Sequence, residues 1–101
     1  MKDDLPNFAL LIDADNDTPD IIAPIIEEIT REARLSVRRV YGDFTSPNLA
    51  KWREALANHG IQPVQQYRNS VGKNASDSAL IIDAMDLLHG RRFDGFCLVS
   101  S

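Results

Sequence analysis

The stretch Phe8-Ala9-Leu10-Leu11-Ile12 is a continuous apolar run that ends abruptly in Asp13-Ala14-Asp15-Asn16-Asp17. A short apolar run without alternation is typical of a strand that is buried on both faces of a parallel sheet. Asp13 takes the last position of this strand, where a carboxylate is costly unless something pairs with it. We therefore predict a buried first strand with a functional acid at its carboxyl end. A structural salt bridge is the alternative role for Asp13.

Helical and extended segments alternate along the rest of the chain. Serine or threonine residues that suit helix caps precede three apolar stripes with helical spacing, and two of these caps are followed by proline. The predicted helices begin at Thr18-Pro19, Ser46-Pro47 and Ser76 and end at about Leu35, at Gly60 and at His89-Gly90. The other predicted strands cover residues 36–42, 61–67 and 93–100. Four strands alternating with three helices predict a parallel sheet with helices on its faces.

Length and charge limit the function classes. The 101 residues form at most one domain, residues 1–101, which is large enough for a single hydrophobic core. Fifteen acidic and eleven basic residues give a formal charge of −4, which argues against a protein that holds nucleic acid by bulk electrostatics. A nuclease remains compatible with this charge, because divalent cations bridge the repulsion between carboxylates and phosphate.

The cellular setting is predicted from apolar runs and cysteine content. The single cysteine, Cys97, lies in the apolar run Phe96-Cys97-Leu98-Val99, where we predict a buried small side chain suited to a reducing compartment. No apolar run approaches the ~20 residues that span a bilayer, and the N-terminus shows no secretory signal pattern. We therefore predict a cytoplasmic protein without a membrane partner.

Acidic residues are predicted to collect at one edge of the sheet. The loops that follow parallel strands meet at their carboxyl edge, and here these loops carry carboxylate and amide side chains. The residues concerned are Asp13, Asp15, Asn16, Asp17, Asp43 and the segment 69–77. Hard oxygen ligands select Mg²⁺ or Mn²⁺ rather than Zn²⁺. The sequence thus predicts a magnesium or manganese site at this edge.

Each of these acids also has an ordinary structural interpretation. Asp15 and Asp17 suit the turn and cap that start a helix. Asp77 falls in the first turn of the third helix, where the helix dipole favours any acid. Asp83 lies about 120 degrees around that helix from Asp77, so it either orients a neighbour or faces solvent. Lys73 pairs either with an acid or with a phosphate, or is an exposed lysine.

Four blocks of sequence, in order, resemble a known family. Each block combines an apolar segment with polar residues at fixed positions, and together they span nearly the whole chain. The blocks are Leu11-Ile12-Asp13-Ala14-Asp15-Asn16, Tyr41-Gly42-Asp43-Phe44, the run from Gly72-Lys73-Asn74 through Asp77 to Asp83, and the run from Phe93-Asp94-Gly95 to Ser101. The chain resembles the NYN domain, LabA-like branch, of the PIN-like nucleases. The resemblance implies an open, doubly wound (Rossmann-like or PIN-like) parallel sheet in three α/β/α layers.

The resemblance also implies an activity and its residues. A carboxylate-lined Mg²⁺ or Mn²⁺ site would hydrolyse RNA phosphodiester bonds, with Asp13 and Asp77 as catalytic metal ligands. Asp83 is a further expected metal ligand, and Asn16 and Lys73 are expected to contact the substrate. In the family the last block continues into Asp-x-Asp-Phe. The resemblance therefore predicts that this chain lacks the C-terminal part of the domain.

RNA is the expected partner. Arg38, Arg68 and Lys73 are candidates to guide the RNA backbone, with solvated surface charges as the alternative. A homodimer is left open, and members of this branch often carry a C-terminal RNA-binding module of the LOTUS kind.

Two other functions suit the same residues. One is a non-catalytic module of this fold that binds RNA or a protein, which would keep its RNA affinity in a metal chelator. The other is a receiver-like domain that accepts a phosphoryl group on Asp13, since acids after the first strand also suit that signalling fold.

Overall fold

The computed structural model describes residues 5–14, 18–65, 75–90 and 93–99, except for the side chains of residues 48 and 75–79. Within these ranges four strands alternate with three α-helices. The strands are β1 (Asn7–Asp13), β2 (Arg34–Gly42), β3 (Gln62–Gln65) and β4 (Gly95–Val99), and the helices are α1 (Ile22–Thr30), α2 (Trp52–His59) and α3 (Ala75–His89). All strand pairs are parallel, so the predicted open α/β fold is confirmed.

The strand order in the sheet is β3-β2-β1-β4. The chain steps outward from β1 through β2 to β3 and then returns past β1 to form β4. The direction of winding therefore reverses between β1 and β4, which makes the carboxyl end of β1 a topological switch point. The continuous apolar sequence of β4 is typical of a central strand, but the described sheet has β4 at one end of the strand order. β4 lies at the edge, where Leu98 is 54% exposed.

Two hydrophobic cores lie on opposite faces of the sheet. On one face, α1 and α2 pack against alternate residues of β1 and β2, and on the other face α3 packs against the intervening ones. The first core contains Leu10, Ile12, Ile22, Leu35, Val40, Leu49, Trp52 and Ile61. The second contains Leu11, Tyr41 and Leu80, with Val37, Ala84, Leu87 and Phe96 around them. Because β1 supplies both cores, its residues 9–13 are all buried.

The predicted end of the first helix was wrong. α1 ends at Thr30 rather than near Leu35, and the Thr30 hydroxyl donates to the carbonyl oxygen of Ile26 at 2.7 Å. β2 then begins at Arg34, whose backbone N–H donates to the carbonyl oxygen of Pro6 at 2.7 Å. Leu35 fits the apolar pattern of either element, and its burial in the sheet core decides the outcome.

Both cap-and-proline signals give a short 3₁₀ turn before the α-helix. Pro19–Ile21 precedes α1, and Pro47–Leu49 lies just before α2. A proline fits the first turn of a helix because the missing N–H would have no helical partner there. Gly60 adopts a left-handed conformation with φ of 61° and ends α2 as predicted.

The other boundaries differ by a few residues. Ser76, the predicted cap of the third helix, lies inside α3. β3 begins one residue later and β4 two residues later than predicted. The predicted strand residues 66, 67 and 100 lie outside the described ranges. Among the described residues, no helix is both long and apolar enough to cross a membrane.

Substitution of two isoleucines tests the packing of α1 and α3 on the sheet. Ile22 is fully buried at the start of α1, whereas Ile82 on α3 is 59% exposed. We expect Ile22→Ala to lower the free energy of unfolding by about 2–5 kcal/mol and the matched Ile82→Ala to change it by less than about 0.5 kcal/mol. Chemical denaturation of both variants measures the difference. Equal losses would contradict the assignment of α1 to the core.

Candidate active site

Asp13 ends β1 at the switch point and is 1% exposed. It is the one charged residue that is buried within the described part of the chain. Side chains alternate along a strand, and Leu11, two residues earlier, packs in the core beneath α3. The Asp13 side chain therefore lies on the α3 face of the sheet. Its register partner is Tyr41 in β2, and the backbone N–H of Ala14 donates to the Tyr41 carbonyl oxygen at 2.8 Å.

Asp83 of α3 is bound by two residues of β2. The Tyr41 hydroxyl donates to Asp83 Oδ2 at 2.6 Å, and Arg39 Nη1 lies 3.5 Å from the same oxygen. We call Arg39, Tyr41 and Asp83 the Asp83 network. The charged members are largely covered, since the side chains of Arg39 and Asp83 are 27% and 31% exposed. This network ties the middle of α3 to the strand next to Asp13.

The environment of Tyr41 keeps its phenol protonated. Burial raises the pKa of Tyr41 well above its ordinary value, and the hydrogen bond to Asp83 raises it further because the carboxylate accepts the phenolic proton. Arg39 opposes this shift in the pKa with a smaller effect. Tyr41 is therefore a hydrogen-bond donor to Asp83 throughout the neutral pH range.

Asp43 also lies at the carboxyl edge, just after β2, but it serves the local turn. Its Oδ1 accepts hydrogen bonds from the Thr45 backbone N–H at 3.0 Å, from the Thr45 hydroxyl and from Gln65 Nε2 at 2.8 Å. Such contacts are typical of an aspartate that shapes a turn. Asp43 thus joins the turn after β2 to the end of β3.

Asp77 lies in the first turn of α3. Because α3 leads into the start of β4, the helix runs antiparallel to the strands and its first turn lies at their carboxyl edge. The backbone therefore brings Asp77 to the edge where Asp13 ends β1. The side chain of Asp77 is not among those described. The other predicted site residues, Asp15, Asn16, Asp17, Arg68 and Lys73, lie outside the described residues.

The contacts of Arg38 and the burial of Cys97 indicate structural roles for both residues. Arg38 Nη1 donates to the carbonyl oxygen of His59 at 2.9 Å, so it caps the last turn of α2. Cys97 is half-buried in β4, and burial raises the pKa of its thiol. A neutral thiol with this environment is a poor nucleophile.

The donors at this edge suit a hard cation. Carboxylate oxygen favours Mg²⁺ or Mn²⁺, whereas Zn²⁺ sites favour imidazole and thiolate. Among the side chains that the structure describes, no three His, Cys, Asp or Glu residues lie close enough together to hold a metal ion. Asp13 fits such a group as one ligand. Further ligands would have to come from acids outside the described side chains, such as Asp77.

Arg39 and Tyr41 are the site residues that sequence reasoning missed. A signal was present, because residues 37, 39 and 41 alternate onto one face of β2, and both neighbours of Arg39 on this face are apolar. A charged residue at such a position needs a partner from the opposing helix. Asp83 is that partner.

The parallel sheet with helices on both faces defines an α/β protein, a class that generally places its sites at the carboxyl edge of the sheet. The family model of the NYN domain matches residues 7–101. The chain therefore belongs to the NYN-domain family, a family of PIN-like nucleases that act on RNA. No curated protein and no solved structure matches the chain.

The raised pKa of Tyr41 predicts how the stability of the protein changes at alkaline pH. The pKa of Tyr41 is raised in the folded state, so its contribution to stability is complete below the unfolded pKa of about 10 and is lost as pH rises above it. We expect the stability of the wild type to fall above about pH 10, and that of Tyr41→Phe to fall less steeply. Denaturant unfolding between neutral and alkaline pH measures this.

Tyr67→Phe is the control, because it leaves Tyr41 as the single tyrosine of the chain. Its ultraviolet absorbance then reports Tyr41 alone. A phenol that ionises near pH 10 while the protein stays folded would contradict the burial of Tyr41 against Asp83.

Proposed function

We propose that this chain is a metal-dependent ribonuclease domain of the LabA-like branch that hydrolyses RNA phosphodiester bonds. The observation that carries the proposal is Asp13, a carboxylate buried at the switch point of a domain in a nuclease family. Asp13 lies at the edge where open α/β sheets place their sites, and a carboxylate there could hold a divalent cation. Zinc is disfavoured by the oxygen donors.

Asp13 and Asp77 are the proposed catalytic residues and metal ligands. When bound, Mg²⁺ or Mn²⁺ lowers the pKa of a water molecule and neutralises charge on the phosphate. Asp13 contributes a carboxylate whose position is set by the buried strand β1, while Asp77 lies on the opposing helix turn. A strand and a packed helix would hold these two ligands in position during the reaction.

RNA binding is proposed to depend on the metal. The chain has a formal charge of −4, so bulk electrostatics oppose an approaching RNA strand. Asn16, Lys73 and Arg68 are the proposed substrate contacts that would partly offset this charge. A non-catalytic module on the same fold is the alternative function. RNA affinity that persists in a chelator would favour it.

Manganese titration tests the proposed ligand directly. We expect Asp13→Asn to lower Mn²⁺ affinity by more than about 100-fold, because an amide replaces an anionic ligand. The matched control is Asp20→Asn, which removes the same charge from an exposed position in the turn before α1. Isothermal calorimetry on the three proteins measures the affinities. Equal affinity in wild type and Asp13→Asn would refute Asp13 as a ligand.

Cleavage of labelled RNA then tests the activity. We expect Mn²⁺-dependent products from the wild type, no products in chelator, and none from the Asp13→Asn variant. Chelator-resistant RNA binding without cleavage would instead identify a binding module. Formation of an acyl phosphate on Asp13 with a small phosphodonor would support a receiver-like domain.

A further inference from the structure

Helix α3 carries two apolar stripes. Leu80, Ala84 and Leu87 form the inner stripe, which packs on the sheet. Ile81, Met85 and Leu88 form the outer stripe, and their exposed fractions are 54%, 54% and 62%. Residues of both stripes are spaced by three and four positions, so each is a continuous helix face.

Hydrophobic burial does not select the inner stripe. The outer stripe has about three more non-hydrogen side-chain atoms than the inner one, so it would remove more apolar surface from water. The two stripes are related by a rotation of about 100 degrees around the helix axis. The apolar content of α3 alone therefore does not account for the observed orientation, in which the inner stripe faces the sheet.

The polar contacts of Asp83 distinguish the two orientations. In the observed orientation Asp83 accepts the Tyr41 hydroxyl at 2.6 Å and lies 3.5 Å from Arg39 Nη1. The rotation would carry Asp83 away from β2 and leave the fully buried Tyr41 without this acceptor. An unsatisfied buried hydroxyl and a separated ion pair oppose that change.

The orientation of α3 matters for the acidic edge. Cα atoms lie about 2.3 Å from the helix axis, so a rotation of about 100 degrees moves the Cα atom of Asp77 by about 3.5 Å. Metal sites tolerate deviations of only about 0.2 Å in ligand distance. Asp77 in a rotated α3 would therefore no longer share a metal ion with Asp13.

We propose that Asp83 is a positioning residue, whose contacts with Tyr41 and Arg39 set the rotation of α3 and so place Asp77 at the edge where Asp13 lies. This inference rests on the proposed metal site. It gives Asp83 a role different from the direct metal ligand expected from sequence. A positioning residue needs a hydrogen-bond acceptor, whereas a ligand needs its negative charge.

Two substitutions separate these roles. In Asp83→Asn the amide oxygen can still accept from Tyr41 and Arg39, and we expect Mn²⁺ affinity within about threefold of wild type. Asp83→Leu removes the acceptor, and we expect affinity to fall by about 10–100-fold. Asp86→Leu is the control, because Asp86 is an exposed acid on the same helix. An Asp83→Asn variant as weak as Asp13→Asn would overturn the proposal in favour of a ligand role.

Thiol labelling measures the rotation without metal. In a Cys97→Ser background, Ala84→Cys places a thiol on the inner stripe and Ile81→Cys places one on the outer stripe. We expect the outer thiol to react at least about tenfold faster in the parent protein. Adding Asp83→Leu should bring the two rates together or reverse them, while Asp86→Leu should not. Circular dichroism confirms that each variant is folded.

The two arms separate this inference from the proposed function. An unchanged rate ratio in the Asp83→Leu background would overturn the proposed control of helix rotation, whatever the metal results. The ratio of the two labelling rates could instead approach one in Asp83→Leu while the wild type binds no Mn²⁺. In that case the proposed metal site is wrong, and so is the proposed placement of Asp77 as a ligand. Loss of both the ratio and Mn²⁺ affinity in Asp83→Leu, with both kept in Asp83→Asn, is the expected result.

Discussion

The constraint on which the structure depends is the burial of β1 on both faces. Its alternate side chains enter two different cores, so helices must cover both sides of the sheet. The strand is also where the winding of the chain changes direction. A carboxylate at its end, Asp13, is therefore held in a fixed position at the edge where parallel sheets form their sites.

Polar contacts help to determine how α3 is oriented on the sheet. The helix presents apolar residues toward the sheet and away from it, and the larger set faces outward. Hydrophobic burial favours packing of such a helix on the sheet but hardly distinguishes one rotation about the helix axis from another. A hydrogen bond to Tyr41 is directional and does distinguish them. Polar groups that are costly to separate can thus specify an arrangement that packing alone does not.

Charge links the fold to the chemistry. The domain is acidic overall, yet its family acts on RNA, a polyanion. Two anions approach each other closely only if cations lie between them. Acidic residues gather at the carboxyl edge of the sheet, and one of them, Asp43, has local contacts with Thr45 and Gln65.

Much of the fold was determined by the sequence itself. The apolar run before Asp13, the alternation of elements and the glycine that ends α2 all act through local geometry and burial, so they identify the α/β class and the central strand. The resemblance in four ordered blocks likewise identified the family. The end of α1 could not be predicted, because the apolar pattern around Leu35 suits either a helix or a strand. The edge position of β4 could not be predicted either, because an apolar sequence does not determine which strands lie beside it.

For the site, the sequence by itself determined that Asp13 ends a buried strand. Only the tertiary structure decided that Asp83 is bound by Tyr41 and Arg39, since their contact joins residues 42 positions apart. Such partners depend on how a helix is rotated against a sheet, and the two apolar stripes of α3 leave that rotation undetermined until the sheet supplies a donor for Asp83.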